Sequence, residues 1–178
     1  MKFTETKLVG AFVIDIEPIE DERGFFARSW CQKEFSDHGI DPALVQCNIS
    51  YNKNKGTLRG MHYQSFPYQE GKIVRCTHGG IYDVIIDLRE NSPSFCQWHA
   101  VELTAMNRRM LYVPENFAHG FLTLTDNAEV FYQMTHFYSP GAASGVRWDD
   151  PAFDINWPAT DIVISERDRS YPDFILGK

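Results

Sequence analysis

The stretch Lys72–Arg89 reads KIVRCTHGGIYDVIIDLR, and its second half decides the fold. Val84, Ile86 and Leu88 alternate with Asp83, Ile85, Asp87 and Arg89, a period of two that puts the first set on one face of a strand and the second set on the other. Gly79 and Gly80 separate this run from KIVRCT, and a glycine pair between two strands is what a tight hairpin needs where φ turns positive. Working outward, Phe12–Ile16, Trp98–Leu103, Met110–Val113, Gly120–Leu124 and Val130–Thr135 are further short runs set off by Gly, Pro, Asn or Asp. Many short strands at regular spacing predict an all-β sandwich or barrel.

One helix interrupts this pattern. Ser29 and Gln32 make a capping-box signature, Cys31 and Phe35 fall on one face, and Gly39 is placed to close the C-terminus, so the sequence predicts a short peripheral helix. The tail WDDPAFDINWP (Trp148–Pro158) has little periodicity and is expected to pack as ordered coil over the barrel. No repeat or linker divides the 178 residues, which predicts a single domain over 1–178. The net charge of −7 argues against a nucleic-acid or acidic-membrane partner. Cys31, Cys47, Cys76 and Cys96 form no C-x-x-C pair, and no apolar run approaches the length of a membrane span or a leader. Reduced thiols and a cytoplasmic location are expected.

Three segments carry groups capable of chemistry: TLRGMHYQ with the following EGK (Arg59, His62, Lys72), VPENFAHGF (His119) and EVFYQMT (Tyr132). A cupin-type metal site begins with an H-x-H pair, but Gly60 stands two before His62 and Gln64 two after, so no metal is expected. Histidine is the residue type best suited to a general base near neutral pH, which makes His62 a candidate, and Asp168 would orient it if the tail returns to the site; a histidine filling a core is the competing reading. Lys72 and Arg59, if they point inward, need an anionic partner, which a ligand phosphate would supply; a wet sheet face is the alternative. Arg59 and His62 are three apart and would face opposite ways on a regular strand, so lining one pocket together requires the backbone near Gly60 to depart from ideal β geometry.

DERGFF (Asp21–Phe26), QCNIS (Gln46–Ser50), GTLRGMHYQ (Gly56–Gln64), GKIVRC (Gly71–Cys76), DVIIDLR (Asp83–Arg89), SPSF (Ser92–Phe95), VPENFAHGF (Val113–Phe121) and WDDPAFDINWP together resemble the dTDP-4-dehydrorhamnose 3,5-epimerase family, in order and over nearly the whole chain. The resemblance implies a cupin-type jelly roll without metal or other cofactor, a homodimer, and epimerisation at C3 and C5 of a nucleotide-diphosphate 4-keto-6-deoxyhexose in deoxysugar biosynthesis. It implies His62 as base, Asp168 as its dyad partner, Tyr132 as the acid on the opposite face and Lys72 as support for an enolate oxygen. Arg59 and His119 fall on positions that contact the diphosphate or sugar. Arg23, Arg28, Gln46, Asn48, Tyr138 and Arg167 fall on substrate-binding positions, some of them reaching across the dimer.

The chain departs from the family pattern around the nucleotide. Arg28 and Ala143 stand where glutamates are usual, Arg167 and Gln133 where lysines are usual, and Cys47 replaces the aspartate of QDN. The altered shell raises CDP as an alternative carrier, because a glutamate-to-arginine change removes an acceptor for the thymine imide. Inversion at a single carbon is a second alternative. A metal-dependent or non-catalytic sugar-binding cupin belongs to a different class.

Overall fold

A computed structural model describes residues 1–41 and 43–175. The elements in chain order are β1 (Lys2–Glu5), β2 (Phe12–Asp15), β3 (Ile19–Asp21), β4 (Gly24–Phe26), α1 (Gln32–Asp37), β5 (Gln46–Asn52), β6 (Thr57–Gln64), β7 (Lys72–His78), β8 (Gly80–Asp87), β9 (Trp98–Thr104), β10 (Met110–Val113), β11 (Phe117–Thr123), β12 (Ala128–Met134), β13 (Ala143–Gly145), β14 (Val163–Ile164) and α2 (Glu166–Arg169). One sheet runs β1-β2-β10-β7-β12-β5, the facing sheet runs β13-β6-β11-β8-β9 with β14 beside β6, and β3 pairs with β4 in a separate hairpin.

The period of two in the strands sorts side chains into layers. Val74, Cys76, Ile81, Ile85, Leu111, Phe121 and Val130 meet between the two sheets. Ile14, Ile73 and Met110, on the far face of the first sheet, pack under Phe35 of α1. Val84 and Ile86, on the far face of the second, pack against Val146, Phe153, Ile155 and Trp157. The tail thus lies as coil over the barrel, as expected, and β8 is covered on both faces. That double burial explains why its run is so continuously apolar.

Two local expectations fail. Gly79-Gly80 does not close a hairpin, because β7 and β8 belong to different sheets. The glycines form a corner where the chain crosses from one sheet to the other: Gly79 has φ +72, and a Cβ there would collide with Thr125 Oγ1. Period-two patterning and a glycine break are common to hairpins and corners, so the sequence could not separate them. The capping box is also absent. The N-cap of α1 is Cys31, with no side-chain hydrogen bond, and Ser29 lies outside the helix. Glu34 instead ties down the first turn, bonding the Met1 amine at 2.7 Å and Arg28 at 2.5 Å. Gly39, at φ +72, does close the helix.

Asp87 at the end of β8 has no exposed surface. It accepts from Arg89 Nε (2.8 Å) and Nη2 (2.7 Å) and from the hydroxyls of Ser92 (2.5 Å) and Ser94 (2.7 Å). Burial pushes its pKa up, but these donors outweigh burial and hold it at about 2, below the ordinary 3.8. A depressed folded-state pKa gives stability that is present above the unfolded value and is lost as pH falls toward the folded one, here about 2 kcal/mol between roughly pH 4 and pH 2. The stability difference between the wild type and Asp87→Asn should therefore narrow by about 2 kcal/mol on acidification from about pH 5 to pH 2. Denaturant melts check this, and a pH-independent difference would contradict it.

Candidate active site

A cavity of about 540 Å³ opens between the two sheets. Its shape depends on a bulge in β6. Arg59 stands opposite Phe121 and His62 opposite His119, so three steps on β6 match two on β11. The extra residue turns Arg59 and His62 to the same side, which resolves the tension of their three-residue spacing. Two glycines make the bulge feasible. Gly60 has φ +143, and a Cβ on it would lie 2.5 Å from Gly120 Cα. Gly120 is equally hemmed in: its Cβ would lie 2.6 Å from Met61 Sδ and 2.8 Å from Arg59 O.

From the second sheet, His62 presents a partly exposed ring to the cavity, and its Nε2 lies 2.8 Å from Asp168 Oδ1. The tail does return: Ser165 caps α2 by accepting from the Asp168 amide at 3.1 Å, and Asp168 Oδ2 also accepts from the Gly60 amide at 3.3 Å. Burial raises the Asp168 pKa, but His62, the Gly60 amide and Ser165 outweigh it and leave the carboxyl below its ordinary value. An ionised Asp168 fixes the proton on Nε2 and leaves Nδ1 as the basic ring atom. His119, opposite His62, bonds through Nε2 to Asp83 Oδ1 at 2.8 Å; Asp83 has no exposed surface.

From the first sheet come Tyr132, Lys72, Gln46 and Asn48. Tyr132 is opposite Val74 and so points between the sheets. Burial raises its pKa; the charge of Arg59 opposes this, and Glu70 and Tyr138 add to it. The phenol is thus held protonated at neutral pH. Lys72 is buried, with Nζ 2.8 Å from Glu70 Oε1 and 3.5 Å from the His62 carbonyl oxygen. Arg59 donates to Asn52 Oδ1 at 2.7 Å, and it lines the cavity with Tyr138 and Arg167.

Among the residues singled out from sequence, Arg23 and Arg28 are not brought to this cavity within their own chain. Arg23 pairs with Asp21 on the exposed β3–β4 hairpin, and Arg28 pairs with Glu34. Two residues escaped the sequence reading. Asp83 was visible as a carboxylate on the face of β8 that also carries Ile85, and a charge on a core face needs a buried partner. Glu70 was visible only through its two-residue spacing from Lys72. Among the described residues, no group of three or more His, Cys, Asp or Glu side chains converges to hold a metal ion.

A sequence model of the family described as dTDP-4-dehydrorhamnose 3,5-epimerase matches residues 5–175. A protein of that name from Shigella flexneri is 40% identical over 176 residues, covering 98% of this chain and 97% of its own length. The crystal structure of the Elizabethkingia anophelis protein of the same name superimposes with a TM-score of 0.95 at 36% identity, covering 98% of this chain and 96% of that one. The Bacillus anthracis structure, with TDP and pyrophosphate bound, gives a TM-score of 0.93 at 40% identity, covering 97% of this chain and 99% of that one. With sequence, fold and cavity in agreement over nearly its full length, this chain belongs to the dTDP-4-dehydrorhamnose 3,5-epimerase family.

Proposed function

We propose that the chain is a single cupin-type domain that epimerises C3 and C5 of a dTDP-linked 4-keto-6-deoxyhexose. The observation that carries this reading is the placement of His62 and Tyr132 on opposite sheets, facing one cavity. Inversion of a carbon centre needs a base on one face and an acid on the other. The protons at C3 and C5 flank a ketone, so their removal produces an enolate. His62, oriented by Asp168, takes the proton; the Lys72 ammonium faces the developing oxyanion; Tyr132 returns a proton from the other side. Stabilisation aimed at charge that appears only in the transition state speeds the step instead of merely tightening binding.

Gln46, Asn48, Arg59, His119, Tyr138 and Arg167 are assigned to holding the nucleotide and sugar, since all of them line the cavity. Arg23 and Arg28 fit the same proposal through a homodimer. Edge strand β5 exposes Ile49 and Tyr51, and the β3–β4 hairpin exposes Ile19, Phe25 and Phe26. Apolar surface of that extent on an unpaired edge suits a second copy, which would carry Arg23 and Arg28 toward its neighbour's cavity. Sedimentation should then give a species of twice the 20.5 kDa chain mass; a monomer would remove the trans contribution. A cytoplasmic location belongs to the same reading and is supported by four unpaired cysteines.

Proton NMR of the dTDP-linked sugar in deuterated water tests the activity. Loss of both the C3 and C5 signals is expected, washout at one carbon would reduce the enzyme to a single-centre epimerase, and no washout would overturn the proposal. The altered positions Ala143 and Arg167 line the cavity within one chain, and Arg28 would reach a neighbour's cavity only through the homodimer. The Bacillus anthracis relative, with TDP bound, supports dTDP as the carrier, so the CDP-linked sugar should react more slowly by about tenfold or more. An equal or faster rate would move the carrier to CDP.

A further inference from the structure

The proposed mechanism assigns Lys72 a task but leaves its partner unused. Glu70 is buried, with its side chain only 4% exposed, yet it lines the cavity. One carboxylate oxygen, Oε1, takes the Lys72 ammonium at 2.8 Å. The other, Oε2, is buried and has no hydrogen-bond partner among the described residues. A buried carboxylate oxygen left without a donor is costly, and because Glu70 lines the cavity, a small turn of its carboxylate on ligand entry would bring Oε2 to a donor that the ligand supplies. Neutralising Lys72 needs only one of the two oxygens.

We propose that Lys72 and Glu70 together recognise an α-hydroxyketone: Lys72 Nζ donates to the ketone oxygen at C4, and Glu70 Oε2 accepts from the hydroxyl on the adjacent C3. This rests on the epimerase reading above and adds a substrate-specificity residue to it. An ion pair holds a donor and an acceptor side by side, and a ketone and hydroxyl on neighbouring carbons offer the complementary acceptor and donor. A carboxylate accepts but does not donate while ionised, so the pair favours a sugar with a free 3-hydroxyl over one with hydrogen at C3. The charge of Glu70 also acts on Tyr132, whose proton it helps to retain. The same carboxylate thus faces both the substrate and the acid.

The test is a binding titration on the His62→Ala enzyme, in which the 4-keto sugar is not turned over. Two ligands are compared, the dTDP-linked 4-keto-6-deoxyhexose and its 3-deoxy counterpart. Glu70 as found should bind the 3-deoxy sugar more weakly by roughly ten- to hundredfold, the worth of a hydrogen bond to a charged group. With Glu70→Gln added, that discrimination should shrink to about threefold or less, while affinity for dTDP alone stays the same. Equal affinity of the Glu70 enzyme for the two sugars overturns the proposal, as does discrimination that survives unchanged in Glu70→Gln. If the Gln variant does not fold, the first comparison decides alone. Because binding is read without turnover, failure here is distinct from failure of the epimerase reading, which washout by the wild type reports.

Discussion

Replacing His62 by alanine should slow solvent exchange at both C3 and C5 by about a thousandfold, the scale of removing a positioned base, while affinity for dTDP changes by less than about threefold. In the proposed mechanism both carbons share this fate, because His62 is the one base assigned to the second sheet among the described residues that line the cavity. Asp168 is already committed to His62 Nε2 at 2.8 Å and to the Gly60 amide, and it is buried behind the ring. His119, the other imidazole, is engaged with Asp83. The prediction is checked by washout rates alongside calorimetric titration with dTDP. Exchange continuing at the wild-type rate would remove His62 as the base; loss of exchange at only one carbon would require a second base.

The other large effect is expected at a residue with no side chain of its own. Gly120→Ala would place a methyl group 2.6 Å from Met61 Sδ and 2.8 Å from the Arg59 carbonyl, with Gly60 Cα at 2.9 Å. Met61 Sδ is the end of a flexible side chain, but the other two contacts are backbone and cannot move aside separately. β6 and β11 must part at the bulge that sets both Arg59 and His62. Overpacking of this kind costs about 3 kcal/mol, and a misplacement of the base near 1 Å costs about a hundredfold in turnover. Thermal melts and the washout assay should therefore report losses together. Gly120→Ala with wild-type stability and rate would show that the close approach of the strands is not what positions the site.

How far the sequence carried this depends on which physics each feature obeys. Alternation in Asp83–Arg89 revealed a strand because period two follows directly from local backbone geometry. It did not reveal which sheet the strand joined, so the Gly79-Gly80 corner read as a hairpin. The bulge at Gly60 was legible because two side chains of apparent common purpose were three apart, a spacing that a regular strand cannot serve. The β6 tie to Gly120 was not legible, since a close approach of two backbones leaves no mark except the glycines themselves. Ser29 and Gln32 matched a capping pattern, but the helix starts at Gln32 with Cys31 as its N-cap, and its first turn is held by Glu34 through the N-terminal amine and Arg28, which no local rule encodes. Asp168 lies more than a hundred residues from His62, and residue spacing alone could not join them; the family resemblance suggested the pairing and the geometry supplies it. Glu70 stayed hidden because its significance lies in an oxygen left unpartnered, which appears only once the cavity has walls.

The central claim is that proton removal and proton return occur from opposite sheets across one cavity. The most direct measurement is Tyr132→Phe in deuterated water, following washout and formation of the inverted sugar in the same sample. Removing one hydroxyl leaves His62, Asp168 and Lys72 in place, so washout should persist within about threefold of the wild type while net inversion falls by about a hundredfold. Washout and inversion falling by the same factor would place Tyr132 in proton removal itself, and the two-sheet account would be wrong.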